Sequence, residues 1–324
     1  MSLLVEKRDE KSLFEAGKRP AAVIVNVREG CDSTEMEKAL MRLRSANDYT
    51  IAVTQATSAM AERIAGKCRQ AGVLAIINCG EHLLKTGHSS NMAVVTPAIT
   101  PGNEPGLLIE NGNAKEYLSV IGYQNYYAEP QTVSDAGKKY FELLRIADIR
   151  DDIKAVEPLV REAETVCLDM RSVRRSDYPI SDDANPNGLY SEEVCTIARY
   201  IGFSFKLKSL YIYGMEKKMP AVCYRLIAET VFHTCEAMLC NICEDPSDAA
   251  QRERFEQKIV TFPDGGSHIS FLNSPQTGRW WMEISDSHNK LTQYIPCSLS
   301  DYNTACNGEI PSRWLFFYQK YIIL

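Results

Sequence analysis

The sequence predicts an α/β fold built on a mostly parallel sheet with helices on both faces. Apolar segments of strand length at 19–27, 49–54 and 72–78 alternate with helical patterns at 33–45 and 59–71. This alternation is typical of βαβ units, in which successive strands run parallel and are buried on both sides. The 324 residues are enough for one large domain of this class or for two smaller ones.

The alternation of elements continues after a stretch that we predict to be loop. Residues 82–106 contain repeated Gly and Pro, which are typical of turns rather than of regular elements. Strands are predicted again at 117–123, 165–169 and 209–213, and helices at 134–146, 152–162, 192–201 and 219–243.

The character of the chain changes near residue 246. Short segments at 259–262, 269–273 and 280–284 alternate in the manner of strands, and the remaining tail is rich in aromatic residues. We expect this region to be too small for a core of its own. We therefore divide the chain into a polar N-terminal lead (1–18), an α/β domain (19–245) and a C-terminal extension packed on the same domain (246–324).

Composition and charge exclude several functional classes. The formal charge is −6 and the Lys and Arg residues are scattered, which argues against a nucleic-acid partner. No apolar run is long enough to span a bilayer, so no membrane partner is expected. The eleven cysteines are an odd number without a disulfide-scaffold pattern, and they indicate reduced thiols in the cytoplasm.

The strand predicted at 165–169 ends at a candidate site. Its last residue is Asp169, and a polar loop with Arg171, Arg174 and Asp177 follows before the next helix. Ligands of open parallel sheets bind where the carboxyl ends of strands meet such loops. The sequence therefore places Asp169 where chemistry is expected.

Several segments along the chain occur together in a fixed order. They are Ile121-Gly-Tyr-Gln-Asn-Tyr-Tyr127, Cys167-Leu-Asp-Met-Arg171, Pro186-Asn-Gly-Leu-Tyr190, Arg279-Trp-Trp-Met-Glu283 and Pro311-Ser-Arg-Trp314. In these segments the chain resembles the arginase and formimidoylglutamase group of ureohydrolases, in particular an arginase-like branch from Bacteroidetes-type bacteria. The resemblance implies a three-layer α/β/α fold of the arginase/deacetylase type. It also implies two Mn²⁺ ions, held by His and Asp side chains at strand ends, that generate a hydroxide nucleophile.

The first two metal-binding motifs that the resemblance implies are largely missing. A Gly-Gly-Asp-His-like turn would fall near 53–58, which contains no Gly pair, no His and no Asp. An Asp-x-His-x-Asp-like strand end would fall at Asn78, Gly80 and His82. Only His82 retains a side chain that commonly binds metal.

The third motif keeps one carboxylate and loses the other. An Asp-x-Asp pair is implied where the chain has Asp169 and Arg171, and an implied glutamate falls at Gly214, with Glu216 two residues further on. Two Mn²⁺ ions need about six side-chain ligands, which these positions do not supply. The permanent charge of Arg171 opposes a metal ion, and we expect it to pair with Asp169 instead.

The leading interpretation is a non-catalytic ureohydrolase-fold protein, or pseudoenzyme, that acts by binding or assembly. No catalytic residue, metal or cofactor is expected, and the partner is a small metabolite, a protein or a second copy of the chain in a homo-oligomer. The candidate pocket residues are Asn78, His82, Asp169, Arg171, Arg174, Asp177, Asn187 and Glu216.

Two alternatives remain open. One is a C–N hydrolase acting on a formimino or guanidino substrate, with Mn²⁺ held by His82 and Asp169 and help from Glu216. The other is a sensor in which Arg171 or Arg174 binds the carboxylate of a small metabolite.

Three further features allow a structural explanation as well as a functional one. Cys240 and Cys243 have the spacing of half a zinc or redox site, but we expect two packed thiols because no second pair follows. Trp280 and Trp281 form either an exposed contact surface or a packed lid. Asp264-Gly-Gly266 indicates a turn rather than a phosphate loop.

Overall fold

The computed structural model describes residues 3–14, 19–28, 30, 32–84, 91–180, 185–262, 267–286 and 291–323. Nine of the strands in these ranges form one sheet in which every pairing is parallel. They are β1 (Leu3–Lys7), β2 (Ala22–Val27), β3 (Tyr49–Ala56), β4 (Leu74–Gly80), β5 (Asn91–Val95), β6 (Tyr117–Tyr123), β7 (Glu142–Arg145), β8 (Thr165–Asp169) and β9 (Ser209–Tyr213). Their order across the sheet is β1-β3-β2-β4-β9-β8-β5-β6-β7.

Helices cover both faces of this sheet. They are α1 (Ser33–Leu40), α2 (Ser58–Ala71), α3 (Glu104–Asn111), α4 (Pro130–Lys138), α5 (Ile146–Asp151), α6 (Val156–Val160), α7 (Ser191–Gly202) and α8 (Ala221–Leu239). Ile24 packs on the face covered by α1, α7 and α8, while its neighbours Val23 and Val25 pack on the face covered by α2 and α3. Successive side chains of a strand point to opposite faces, so each strand contributes to both apolar cores. The predicted three-layer α/β/α architecture is confirmed.

The prediction of a loop throughout 82–106 is wrong. Strand β5 lies inside the sheet between β8 and β6, and α3 begins at Glu104. The apolar part of β5 is only Met92-Ala-Val-Val95, and it stands among Gly and Pro residues that favour a loop. Burial against both neighbouring strands overrides this local preference.

Three other elements also differ from the prediction. Residues 3–7, within the supposed polar lead, form β1 at the edge of the sheet beside β3. The helix predicted at 134–146 ends at Lys138, Tyr140 adopts a positive φ of 54°, and β7 follows. The helix predicted at 152–162 is interrupted because Asp152 is extended and caps a short 3₁₀ turn that precedes α6.

The C-terminal extension forms a separate antiparallel sheet. Its strands are β10 (Glu256–Thr261), β11 (His268–Asn273), β12 (Trp280–Asp286) and β13 (Leu291–Cys297), followed by α9 (Leu299–Cys306) and α10 (Ser312–Tyr318). The expectation that it has no core of its own is wrong. Phe271, Trp280, Met282 and Phe317 belong to an apolar cluster distinct from those of the main sheet, and α10 packs against β12 and β13.

A buried arginine, Arg161, and a partly buried one, Arg279, attach the extension to the α/β domain. Arg161, which is 2% exposed, forms an ion pair with Glu157 and donates Nη1 to the carbonyl oxygen of Trp280 at 2.8 Å. Its guanidinium carbon lies 4.7 Å from the ring centroid of Trp281, which is 1% exposed, so the packed-lid alternative for the tryptophan pair is the right one. Arg279 donates to the carbonyl oxygen of Ile242 at 3.1 Å.

The expectation that Cys240 and Cys243 are packed thiols is wrong. Helix α8 ends at Leu239, so both cysteines lie in the segment that follows it, and both are exposed. The ten cysteines in the described ranges are all unpaired. Residues 264–266 lie outside the described residues. In the described part of the chain, no helix combines the length and the apolar character needed to cross a membrane.

Candidate functional site

Asp169 and Arg171 form a bidentate ion pair at the C-terminal end of β8. Asp169 is the last residue of this strand and is only 3% exposed. Its Oδ1 accepts hydrogen bonds from the backbone N–H of Arg171 at 3.0 Å and from Nε at 2.8 Å, and its Oδ2 accepts one from Nη2 at 2.9 Å. The pairing predicted from the sequence is therefore present, and both carboxylate oxygens are occupied by one neighbouring residue.

The two charges of this pair compensate each other. Burial raises the pKa of Asp169, and the hydrogen bonds and charge of Arg171 oppose that rise. Burial alone would lower the pKa of Arg171, but the hydrogen bond and charge of Asp169 outweigh it and raise the pKa overall. A buried carboxylate and a guanidinium in this geometry each satisfy a charge that would be costly to bury alone.

The C-terminal end of β9 packs against the ion pair. The ring centroid of Tyr213, the last residue of β9, lies 5.7 Å from the guanidinium carbon of Arg171. Gly214 follows with a positive φ of 72°, and a Cβ atom at this position would clash with Oδ1 of Asp169 and lie 3.1 Å from Cγ of Arg171. Gly214 is also the position at which the family resemblance implied a glutamate. The space that a glutamate side chain needs is occupied by the ion pair.

A second polar pair lies deeper in the sheet, on β2 and β4. Asn78 is fully buried and donates Nδ2 to Oδ1 of Asn26 at 2.7 Å. The two residues are direct neighbours in the strand register. Nδ2 of Asn26 and Oδ1 of Asn78 have no hydrogen-bond partner among the described residues. Sequence reasoning missed Asn26, although a lone amide within the apolar run of β2 was a usable signal.

Arg174 and Asp177 tie the loop after β8 to the start of α7. Nε of Arg174 donates to Oδ1 of Asp177 at 2.8 Å, and Oδ2 of Asp177 accepts the backbone N–H of Ser191, the first residue of α7, at 3.0 Å. Burial tends to raise the pKa of Asp177, but these hydrogen bonds lower it overall. The Arg174 guanidinium carbon also lies 4.1 Å from the ring centroid of Tyr190. Arg174 is thus already engaged with groups of the chain itself.

The remaining predicted site residues are more exposed. The side chain of His82 is 74% exposed, and its closest described acidic neighbour is Glu81 at 3.9 Å. Asn187 is exposed, and its Nδ2 lies 3.5 Å from the hydroxyl oxygen of Tyr126. Glu216 is partly buried just beyond Gly214. The hydrogen bonds of Asp169 come from Arg171 and from none of these three residues.

Glu104 is a further acidic residue near the ion pair that sequence reasoning missed. It opens α3, its Oε1 accepts the backbone N–H of Leu83 at 3.3 Å, and its charge contributes to raising the pKa of Asp169 and of Tyr213. The prediction of a loop at 82–106 concealed it, because a helix start at the C-terminal edge of the sheet was not expected there.

The described residues do not fit a dinuclear manganese centre. Such a centre needs about six oxygen or imidazole ligands in one cluster. Within the described ranges, no group of three or more His, Cys, Asp or Glu side chains is placed to hold a metal ion. Both oxygens of Asp169 are bound by Arg171, and Asn78 occupies a position where the family resemblance implied a carboxylate.

Solved structures of ureohydrolases share this fold. Formiminoglutamase from Trypanosoma cruzi is 14% identical over 71% of this chain and 98% of its own, with a TM-score of 0.56. Formimidoylglutamase from Bacillus subtilis is 12% identical over 74% of this chain and 92% of its own, with a TM-score of 0.57. Agmatine ureohydrolase from Thermoplasma volcanium is 13% identical over 70% of this chain and 96% of its own, with a TM-score of 0.54. In sequence, no family model and no curated protein matches the chain.

These comparisons define the class of protein by its fold. The chain has the arginase-like α/β/α fold of the ureohydrolases, and the resemblance noted in the sequence is confirmed at this level. The antiparallel sheet of residues 256–297 is separate from the nine-stranded sheet of this fold.

Proposed function

We propose that the chain is a non-catalytic protein of ureohydrolase fold, which acts by binding or assembly without a metal. The observation that carries this proposal is the bidentate ion pair between Asp169 and Arg171 at 2.8 and 2.9 Å. A guanidinium provides a fixed positive charge at the strand end where ureohydrolase chemistry would need a metal ion.

Electrostatics support this reading of the ion pair. For a divalent ion to reach Asp169, the carboxylate would have to leave three N–H donors of Arg171. The guanidinium would then remain as an unpaired cation beside the incoming metal, in a region largely removed from water. Binding of a divalent cation at Asp169 is therefore electrostatically unfavourable.

Metal content and hydrolysis of purified protein test the proposal together. After incubation with excess Mn²⁺ and gel filtration, we expect far less than one Mn²⁺ per chain by elemental analysis. We also expect no release of formamide, urea or ammonia from formimino and guanidino substrates. Two Mn²⁺ per chain would overturn the proposal. Product release that Asp169→Asn abolishes would also overturn it.

A further inference from the structure

A cavity of about 260 Å³ lies at the edge of the main sheet opposite the Asp169–Arg171 pair. Its floor is formed near the N-terminal ends of β6 and β7 by Ser119 and Glu142. Its other walls come from α6, from the loop 244–247, and from β13 and α10 of the extension. The cavity is thus built jointly by the α/β domain and the extension.

Ser119 is a buried polar residue that faces this cavity without a partner. It is 5% exposed, and its hydroxyl makes no hydrogen bond with any residue that the structure describes. Ser119 is the direct strand neighbour of Glu142, so both side chains lie on the same face of the sheet. The hydroxyl oxygen is not among the fully enclosed side-chain atoms that lack a partner, so it is open to the cavity and available to a molecule bound there.

Glu142 offers a carboxylate oxygen to the same space. Its Oε1 accepts from Nη1 of Arg313, and its Oε2 makes no hydrogen bond within the described part of the chain. Nε of Arg313 is held by the carbonyl oxygen of Pro296 at 2.8 Å, which fixes the guanidinium on one side of the carboxylate. Burial raises the pKa of Glu142, and the charges of Arg313 and Lys320 oppose that rise, as a further cation in the cavity would.

The other charged groups of the lining leave the balance negative. Lys206 is paired with Glu162. Glu244 accepts from Thr277 at 2.6 Å and lies 3.7 Å from Arg279. Oδ1 of Asp245 accepts the backbone N–H of Ser247 at 2.9 Å, while its Oδ2 has no described hydrogen bond. Both cations of the lining, Lys206 and Arg313, are therefore already paired, and the lining carries four acidic side chains against these two.

We propose that this cavity is a binding site for a small organic cation that carries a protonated primary amine and a second polar group. The ammonium group donates to Oε2 of Glu142, and the second polar group contacts the hydroxyl of Ser119 or the carboxylate of Asp245. Ammonium-to-carboxylate hydrogen bonds are among the strong ones in proteins. The volume lies just below the range of roughly 300–1,000 Å³ typical of small-molecule sites, which limits the ligand to a short aliphatic chain. This site is separate from the proposed metal-free function at Asp169.

Calorimetric titration of the full chain at low ionic strength tests the site with a matched series of probes. We use 1,3-diaminopropane, 3-amino-1-propanol and 1,3-propanediol, which share a chain length and carry two, one and no ammonium groups. Both amines are expected to bind at least about tenfold more tightly than the diol, because only they supply a charged donor. Undetectable binding of both amines would overturn the proposal. Equal binding of the diol, or of Mg²⁺ as chloride, would also overturn it.

Variants of the cavity lining test whether the amines bind in this cavity. Glu142→Gln is expected to weaken 1,3-diaminopropane at least about tenfold. Because this variant also disturbs the pair with Arg313, the double variant S119A/D245N is measured beside it and is expected to weaken binding at least about threefold. Asp135→Asn removes an exposed carboxylate of α4 and serves as the matched control, with unchanged affinity. Wild-type affinity in both cavity variants would contradict the assignment.

Discussion

Asp169 keeps its buried negative charge because a residue two positions along the chain neutralises it. Arg171 supplies one backbone and two side-chain N–H groups to the carboxylate. The partner is local in sequence, so the arrangement depends on the turn after β8 and not on distant elements. This explains why the pair was predictable from the sequence.

Removing the guanidinium should destabilise the protein strongly. Arg171→Met leaves Asp169 buried without a counter-charge, and we expect the free energy of unfolding to fall by about 3 kcal/mol. Adding Asp169→Asn should recover part of this loss, because the uncompensated charge disappears. Urea unfolding measures both effects.

Arg174→Met provides the control for this experiment. Its ion pair with Asp177 has the same side-chain types, but Arg174 is 37% exposed. Solvent screens such pairs, so Arg174→Met should lose much less stability than Arg171→Met. Similar losses in Arg171→Met and Arg174→Met would contradict the special role of the buried pair.

Other features of the candidate site could not be predicted from single positions. Asn26 meets Asn78 only because β2 and β4 are neighbours in the sheet, 52 positions apart in the chain. Glu104 approaches Asp169 through a helix that was predicted to be loop. The exposure of His82 likewise depends on the path of the chain after the end of β4. These contacts follow from topology, which residue types alone do not determine.

At the scale of elements, periodicity predicted the long or strongly apolar segments well. Strands β6, β8 and β9 have the predicted bounds, because apolar residues predominate in each. Strands β5 and β7 were missed, since each is short and lies beside Gly, Pro or polar residues. Their strand conformation is stabilised by pairing inside the sheet and not by local preference.

The C-terminal segment Gln319–Ile323 docks on the main sheet through a buried lysine. Lys320 is 7% exposed, and its Nζ donates to the carbonyl oxygens of Glu116 at 2.6 Å and Tyr140 at 3.2 Å. Burial lowers its pKa to about 8, although Glu142 and Glu116 oppose the shift. The docking of this segment should therefore depend on pH.

The sign of that dependence is set by the state that binds more protons. Between about pH 8 and pH 10 the unfolded chain keeps the Lys320 proton while the folded chain releases it, so stability rises with pH. The contribution of this group is about 3 kcal/mol across the window. In Lys320→Met this contribution is absent. The unfolding free energy of the wild type minus that of the variant should therefore increase from pH 7.5 to pH 10. Parallel pH profiles would contradict the account.

In the molecule as a whole, the α/β domain and the extension are joined by the guanidinium groups of buried Arg161 and partly buried Arg279. Arg161 connects α6, through Glu157, with the carbonyl oxygens of Trp280 in β12 and Cys297 in β13. Arg279 connects β12 with the segment after α8. The sequence indicated the presence of an extension, but these attachments span more than a hundred residues for Arg161 and were not predictable.

Loss of Arg161 should loosen the extension. Arg161→Met removes the guanidinium hydrogen bonds to two strand carbonyls and the buried ion pair with Glu157, and we expect a loss of about 3–5 kcal/mol in unfolding free energy. Hydrogen exchange should rise more in β12 and β13 than in β8. Arg145→Met is the control, since its pair with Asp148 is 47% exposed on the arginine side and screened by solvent, so a much smaller loss is expected. Unchanged exchange in β12 and β13 would show that the extension is held by other contacts.

We propose that the guanidinium of Arg171, paired with Asp169, takes the place of metal ions in this fold. Anomalous diffraction from a crystal soaked in Mn²⁺ tests it most directly. The account predicts no anomalous peak within coordination distance of Asp169 and an intact ion pair with Arg171. Two anomalous peaks about 3.5–4 Å apart at the C-terminal end of β8, with Arg171 displaced, would contradict it.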